Sequence, residues 1–222
     1  MTVKMKLAKI QEQINYACVR SNRNPEEITI IAVTKYVTVE RAREALESGI
    51  YHLGENRDDG LLKKWNDLRD KPIWHYIGSL QTRKVKNIID IVDYVHSLDR
   101  ITLAHELNKR AQKVVKCLIQ VNVSGEDSKH GLKPIQVTEF VHQLADFPHL
   151  QIVGLMTMAP NTKDEAVLRN CFQQMKVLRT EIQNLALSYA PCKELSMGMS
   201  NDYKIAVEEG ATMIRIGTSL VG

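Results

Sequence analysis

An alternation constrains this chain more than any other feature. Short apolar runs and helix-period runs follow one another from Thr29 to Ile216. Strand-like runs occupy 29–35, 51–54, 73–77, 93–97, 116–124, 151–157, 193–197 and 212–216. They are rich in Val, Ile and Leu and are bounded by turn-forming residues. Helical periodicity fills the intervals 38–48, 57–69, 81–91, 100–113, 134–146, 164–188 and 200–209. Thr38, Asp99 and Ser200 suit helix N-caps, and Gly49 and Gly210 suit helix C-termini. Parallel strands need a crossover between them, and repeated βα units supply one each time.

Eight strands in 222 residues favour a single (β/α)8 TIM barrel over an open sheet. An open doubly wound sheet usually shows a Gly-rich first turn. Here the first strand runs into "TKYVT", which holds no glycine. Leu7, Ile10, Ile14 and Ala17 recur at helical spacing, so residues 3–21 read as an extra N-terminal helix. No Pro/Gly-rich linker divides the chain, and residues 1–222 are expected to form one domain.

Several function classes lose support at once. The net charge is +4, with bases scattered among nearly as many acids. The densest basic cluster, Arg83, Lys84 and Lys86, reads as a solvated helix face, so no nucleic-acid partner is expected. Cys18, Cys117, Cys171 and Cys192 are far apart without CxxC pairing, which suits a reducing compartment. The seven histidines do not fall at metal-ligand spacing, so no metal is expected. No apolar run reaches membrane length and the N-terminus lacks a secretory pattern, so a cytoplasmic protein is expected. Nothing reads as a dedicated dimerisation element, and a monomer is expected.

Against this background Lys35 stands out. Side chains alternate along a strand, so Lys35 shares a face with Ile31 and Val33. If that face is the barrel interior, the ammonium reaches the mouth, where barrels of this type carry their chemistry. A lysine snorkelling to water is the bland reading. The chemical reading is a half-buried amine, neutralised by desolvation, that forms a Schiff base with an aldehyde or ketone. A sugar phosphate or pyridoxal phosphate would then be the ligand.

Both ligands require a phosphate site, expected after strands 7 and 8. "LSMGMSND" follows strand 7, where Ser200 would cap a helix whose free N–H groups favour an anion. "RIGTSLVG" closes strand 8, where Gly217 permits close approach and Thr218 adds a hydroxyl and an N–H. Arg215, ending strand 8, could bind a carboxylate, face a pyridine nitrogen, or pair with Asp99 or Glu126.

Eight motifs then occur in order: "AVTKY", "HLGEN", "WHYIGSLQTRK", "HSLD", "QVNVSGEDSKHGL", "GLMTM", "LSMGMSNDY" and "MIRIG". Together they resemble the pyridoxal phosphate homeostasis proteins, also called the proline synthase co-transcribed family. Members look like the alanine racemase N-terminal barrel standing alone. The resemblance implies pyridoxal phosphate as cofactor, with Lys35 as Schiff-base lysine and Arg215 at the pyridine nitrogen. It implies phosphate contacts at Ser200, Gly217 and Thr218, and places Asn56, His75 and Met199 on the pocket lining. Arg57, Arg83 and Val221 depart from the usual pattern of Tyr, Asn and Phe, and the chain is expected to lack the short tail that commonly follows Gly222.

The expected function is to hold the cofactor for intracellular homeostasis, influencing amino-acid and keto-acid balance indirectly, with apo-enzymes that use the cofactor as possible recipients. An amino-acid racemase is the alternative, and a lysine-dependent aldolase the third reading. Racemisation needs proton-transfer groups on both faces of the substrate. In the racemases this chain resembles, the second is a tyrosine from another domain of a partner subunit. The chain is expected to lack that domain and to leave Tyr36, Tyr51, Tyr76 and Tyr203 as the substitutes, so robust catalysis is not expected.

Overall fold

The computed structural model describes residues 1–126 and 129–222. Asp127 and Ser128, inside the "QVNVSGEDSKHGL" motif, lie outside the described residues. The opening helix α1 spans Val3–Arg20, and eight βα units follow. The strands are β1 Thr29–Val33, β2 His52–Glu55, β3 Ile73–Tyr76, β4 Tyr94–Leu98, β5 Val115–Gln120, β6 Leu150–Met156, β7 Glu194–Met199 and β8 Met213–Ile216. The helices after them are α2 Val39–Glu47, α3 Asp58–Leu68, α4 Val85–Ile88, α5 Ile101–Arg110, α6 Val137–Gln143, α7 Glu165–Asn184, α8 Tyr203–Glu208 and α9 Thr218–Val221. All neighbouring strands pair in parallel, and β8 pairs with β1 to close the barrel.

The apolar core forms two layers. Ile31, Leu118, Val153, Met156 and Met213 fill the lumen, with Tyr94 packed against them. A larger outer layer lies between the sheet and the helices. In α7 it takes Leu168, Phe172, Met175, Leu178 and Ile182, which recur three or four residues apart on one face. Each such side chain contributes about 1.5–3 kcal/mol on leaving water. All four cysteines are buried free thiols. Helix α1 lies along the barrel side against α8, α9 and α2, burying Ile10, Ile14 and Ala17.

Local chemistry explains several boundaries. The Thr38 hydroxyl accepts from Arg41 N–H at 3.2 Å and starts α2, and Gly49 follows its end at φ +92°. The other two expected caps are corrected. Arg100 occupies the cap position of α5, while the Asp99 carboxylate accepts from the Arg100 guanidinium at 2.6 Å. Helix α8 begins at Tyr203, so Ser200 lies in the preceding turn, and Asp202 holds the cap position.

The fifth strand, expected over 116–124, ends at Gln120 because the chain folds back on itself. Leu132 N–H donates to the Gln120 carbonyl and Asn122 N–H to the Leu132 carbonyl, both at 2.9 Å. The helices expected over 81–91 and 134–146 each divide into a 3-10 turn and a short α-helix. Helix α9, four residues long, is too short to show a sequence period.

Candidate functional site

The C-terminal ends of the strands surround a cavity of about 450 Å³, a size suited to a small cofactor. Lys35, Asn56, Met199, Ser200, Arg215, Gly217 and Thr218 all line it. A larger open groove of about 930 Å³ runs outside the barrel past Lys6, Lys9, Lys163 and Lys204. It shares only Asn161, Thr162, Ser200 and Asn201 with the mouth and does not reach Arg215 or Lys35.

On the β1 side, the expected inward face is present: Ile31 is in the lumen and Val33 lines the cavity. The strand, however, stops two residues before Lys35. Thr34 is fully buried and donates its hydroxyl proton to Glu55 Oε1 at 2.6 Å. Glu55 in turn pairs with buried Lys64 at 2.9 Å. The next residues turn outward: Tyr36 takes φ +66°, a left-handed conformation uncommon for a bulky residue. Lys35 is therefore exposed rather than half-buried, with its Nζ 5.8 Å from the Tyr36 ring centre.

Asn56 and Ser79 come from the loops after β2 and β3. These loops touch at Gly78, where a Cβ would sit 2.2 Å from the Asn56 carbonyl oxygen. Only glycine permits that approach, and it holds Asn56 at the cavity edge.

Opposite, the turns after β7 and β8 present backbone donors. The N–H groups of Ser200, Asn201, Gly217 and Thr218 have no acceptor among the described residues. The Ser200 hydroxyl accepts from Ser219 at 3.0 Å. The neighbouring Asp202 carboxylate accepts from Met199 N–H at 2.5 Å and closes the turn. A Cβ on Gly217 would meet protein only at 3.7 Å, from Val33. Four unpaired N–H groups with two hydroxyls form a concave donor surface suited to a phosphate.

Arg215 rises from the lumen to the cavity wall and is 5% exposed. Its Nη1 donates to Ser196 Oγ at 2.7 Å and its Nη2 to the Thr157 carbonyl at 2.8 Å. Burial pushes its pKa down to about 10, opposed by the charge of Asp202. The expected structural acids do not serve it: Asp99 pairs with Arg100, and Glu126 with Lys129. A hydroxyl and a carbonyl replace them.

His75 does not line the cavity, which corrects the expectation. It is fully buried in the lumen, stacked on Tyr94 with ring centres 4.4 Å apart. Its Nε2 lies 2.9 Å from His52 Nδ1 and its Nδ1 lies 2.8 Å from His96 Nε2. Burial drives the pKa values of His75 and His96 well below the usual range, helped at His75 by the neighbouring His96 and His52 and at His96 by the Arg215 charge. These rings meet nitrogen to nitrogen instead of converging on a point, and no group suited to a metal exists among the described residues. The departures Arg57 and Arg83 are exposed and do not line the cavity, and Val221 is buried near the chain end.

Sequence reasoning missed His96, Ser196, Thr157, Gln120 and Asp202. The last two line the cavity; the others join the network behind Arg215. The period-2 alternation of β7 and β8 was the available signal, since it places Ser196 with Gly198 and Arg215 with Gly217 on inward faces.

Among the described residues no helix is long and apolar enough to cross a membrane. The family model "Alanine racemase, N-terminal domain" matches residues 6–222. A pyridoxal phosphate homeostasis protein of Aquifex aeolicus is 41% identical, over 98% of this chain and 96% of that protein. The solved structure of PipY from Synechococcus elongatus with PLP bound superposes with a TM-score of 0.86 at 33% identity, covering 100% of both chains. An alanine racemase of Clostridium difficile shares the fold at a TM-score of 0.76 and 14% identity, over 99% of this chain and 56% of that one. With similarity over nearly the whole length of the Aquifex protein and of PipY, this chain belongs to the pyridoxal phosphate homeostasis protein family.

Proposed function

We propose that this chain binds pyridoxal 5′-phosphate at the barrel mouth, on Lys35, and serves its homeostasis. The observation that carries the reading is convergence: one cavity holds a free amine, an arc of unpaired N–H donors and a buried guanidinium. Those three groups fit the aldehyde, the phosphate and the pyridine ring of one ligand. When bound, the cofactor supplies an aldehyde that condenses with an amine and releases water.

Lys35 provides that amine from a turn fixed by the Thr34–Glu55–Lys64 contacts. Ser200, Gly217 and Thr218 would hold the phosphate, and Asn56 and Met199, which line the same cavity, would face the rest of the ligand. Arg215 can only donate hydrogen bonds, so a ring nitrogen facing it would accept and stay without a proton, which would leave the ring a poor electron sink. His75 acts behind the wall and does not touch the ligand.

The same geometry supports storage and delivery to apo-enzymes over robust catalysis. Racemisation needs a second proton-transfer group across from the lysine. No tyrosine lines the cavity among the described residues. Tyr36 and Tyr51 are exposed, Tyr76 is buried, and the Tyr203 hydroxyl bonds Gln13. The test has two parts. Protein supplied with the cofactor should gain a visible absorbance that Lys35→Ala removes, and borohydride reduction should map the adduct to Lys35. An adduct only on another lysine overturns the site. Incubation with L-alanine in deuterated water should show no α-carbon exchange near about 1 per second, the low end for enzymes; exchange at that rate overturns the non-catalytic reading.

A further inference from the structure

A hydrogen-bonded chain crosses the barrel lumen from β2 to β8. His52 Nδ1 meets His75 Nε2 at 2.9 Å, and His75 Nδ1 meets His96 Nε2 at 2.8 Å. His96 Nδ1 meets Ser196 Oγ at 2.9 Å, which accepts from Arg215 Nη1 at 2.7 Å. His75, His96 and Ser196 are each fully buried. At the far end His52 is half-buried and borders a surface hollow with Gln11 and Ile73.

The direction of this chain follows from its head. A guanidinium can only donate, so Ser196 Oγ must accept from Arg215. The single hydroxyl proton of Ser196 then needs an acceptor, and the only one it reaches among the described residues is His96 Nδ1. A neutral imidazole carries one N–H, so His96 must hold it on Nε2 and donate to His75 Nδ1. By the same step His75 holds its proton on Nε2 and donates to His52 Nδ1. The reverse order would leave the Ser196 proton buried without an acceptor, a penalty of about 1–3 kcal/mol. An imidazolium at His75 or His96 would turn two donors toward each other, and both rings have pKa values held low by burial.

We propose that Ser196, His96, His75 and His52 are positioning residues for Arg215, joined in a one-way hydrogen-bond chain that holds each histidine as its Nε2–H tautomer. The chain fixes the guanidinium plane at the cavity wall, because rotating Nη1 away from Ser196 would break the alignment of every bond behind it. Cooperative polarisation along such a chain strengthens its members. The functional consequence rests on the cofactor reading above; the tautomer order does not.

The test begins with the chain free of cofactor, labelled with ¹⁵N-histidine, at pH 7.5. Two-bond ¹H–¹⁵N correlations report the tautomer of each ring, with signals assigned from His75→Asn and His96→Gln. His75 and His96 should both appear as Nε2–H forms. A dominant Nδ1–H form at either ring overturns the proposal, whatever the cofactor result. Ser196→Ala should release the order, giving tautomer mixtures at His96 and His75, and should weaken pyridoxal phosphate binding about tenfold. Ser196→Thr keeps the hydroxyl and should restore both. Unchanged tautomers in Ser196→Ala would mean that Arg215 does not direct the chain. If Ser196→Ala does not fold, the wild-type tautomers alone decide. Cofactor binding that fails in the wild type while the tautomers hold would overturn the cofactor reading and leave the chain standing.

Discussion

Replacing Lys64 with Met should destabilise the barrel severely, although Lys64 is a helix lysine 4% exposed and outside the cavity. Its Nζ lies 2.9 Å from Glu55 Oε1, with the two side chains 5% and 2% exposed. Among the described residues the only other strong donor to that carboxylate is the Thr34 hydroxyl at 2.6 Å. Removing the ammonium leaves a nearly dry carboxylate with one neutral partner, and breaking a buried pair in this way costs about 3–5 kcal/mol. Typical stabilities are about 5–15 kcal/mol, and at roughly 2–4 °C per kcal/mol for a domain this size the melting point should fall by roughly 6–20 °C. Urea unfolding followed by circular dichroism measures the loss at equilibrium. The double variant Lys64→Met/Glu55→Leu removes both charges and should recover most of the stability, since apolar replacement of a whole buried pair is often near neutral. A single variant within about 1 kcal/mol of wild type, or a double variant no better than the single, would refute the reasoning. Because Thr34 precedes Lys35, the single variant should also loosen the turn that presents the amine.

Further outcomes follow from the same geometry. Ser200→Ala/Thr218→Ala should weaken pyridoxal phosphate binding by roughly tenfold or more while sparing unphosphorylated pyridoxal, because charge-assisted hydrogen bonds contribute about 1.5–3 kcal/mol each; equal losses in fluorescence titrations with both ligands would assign these residues to the fold instead. His75 and His96 have folded pKa values below the unfolded value near 6.5, so the unfolded chain binds more protons in acid and stability falls as pH drops below that value. Acidification from pH 7 to 5 should therefore lower the urea midpoint, and His96→Gln should shrink that pH dependence. Burial holds the thiols of Cys117 and Cys192 at pKa values of about 12, and Cys171 at about 11. A thiol reagent at pH 8 should therefore label these three slowly in the native state and rapidly in denaturant; fast native labelling would contradict their burial.

The alternation of apolar runs and helical periods carried the architecture, because a parallel strand must be followed by a crossover and eight such units close a barrel. It also carried the positions of Lys35, Ser200, Gly217 and Thr218, since each stands close to where an apolar run gives way to polar residues. Strand ends themselves were less legible. The ends of β1 and β5 depend on Thr34 meeting Glu55 and on Leu132 returning to Gln120, contacts between residues 21 and 12 positions apart. His75 shows the limit most clearly. Its motif suggested a pocket residue, yet depth along β3 places it in the lumen, below the cavity. No periodicity within one strand reveals that β2, β3, β4, β7 and β8 bring His52, His75, His96, Ser196 and Arg215 into a single file. Local sequence sets which face of a strand is inward, through the two-residue alternation of the pleat. Only closure and stagger of the barrel decide which inward side chains meet, because that register is fixed by packing across strands distant in sequence.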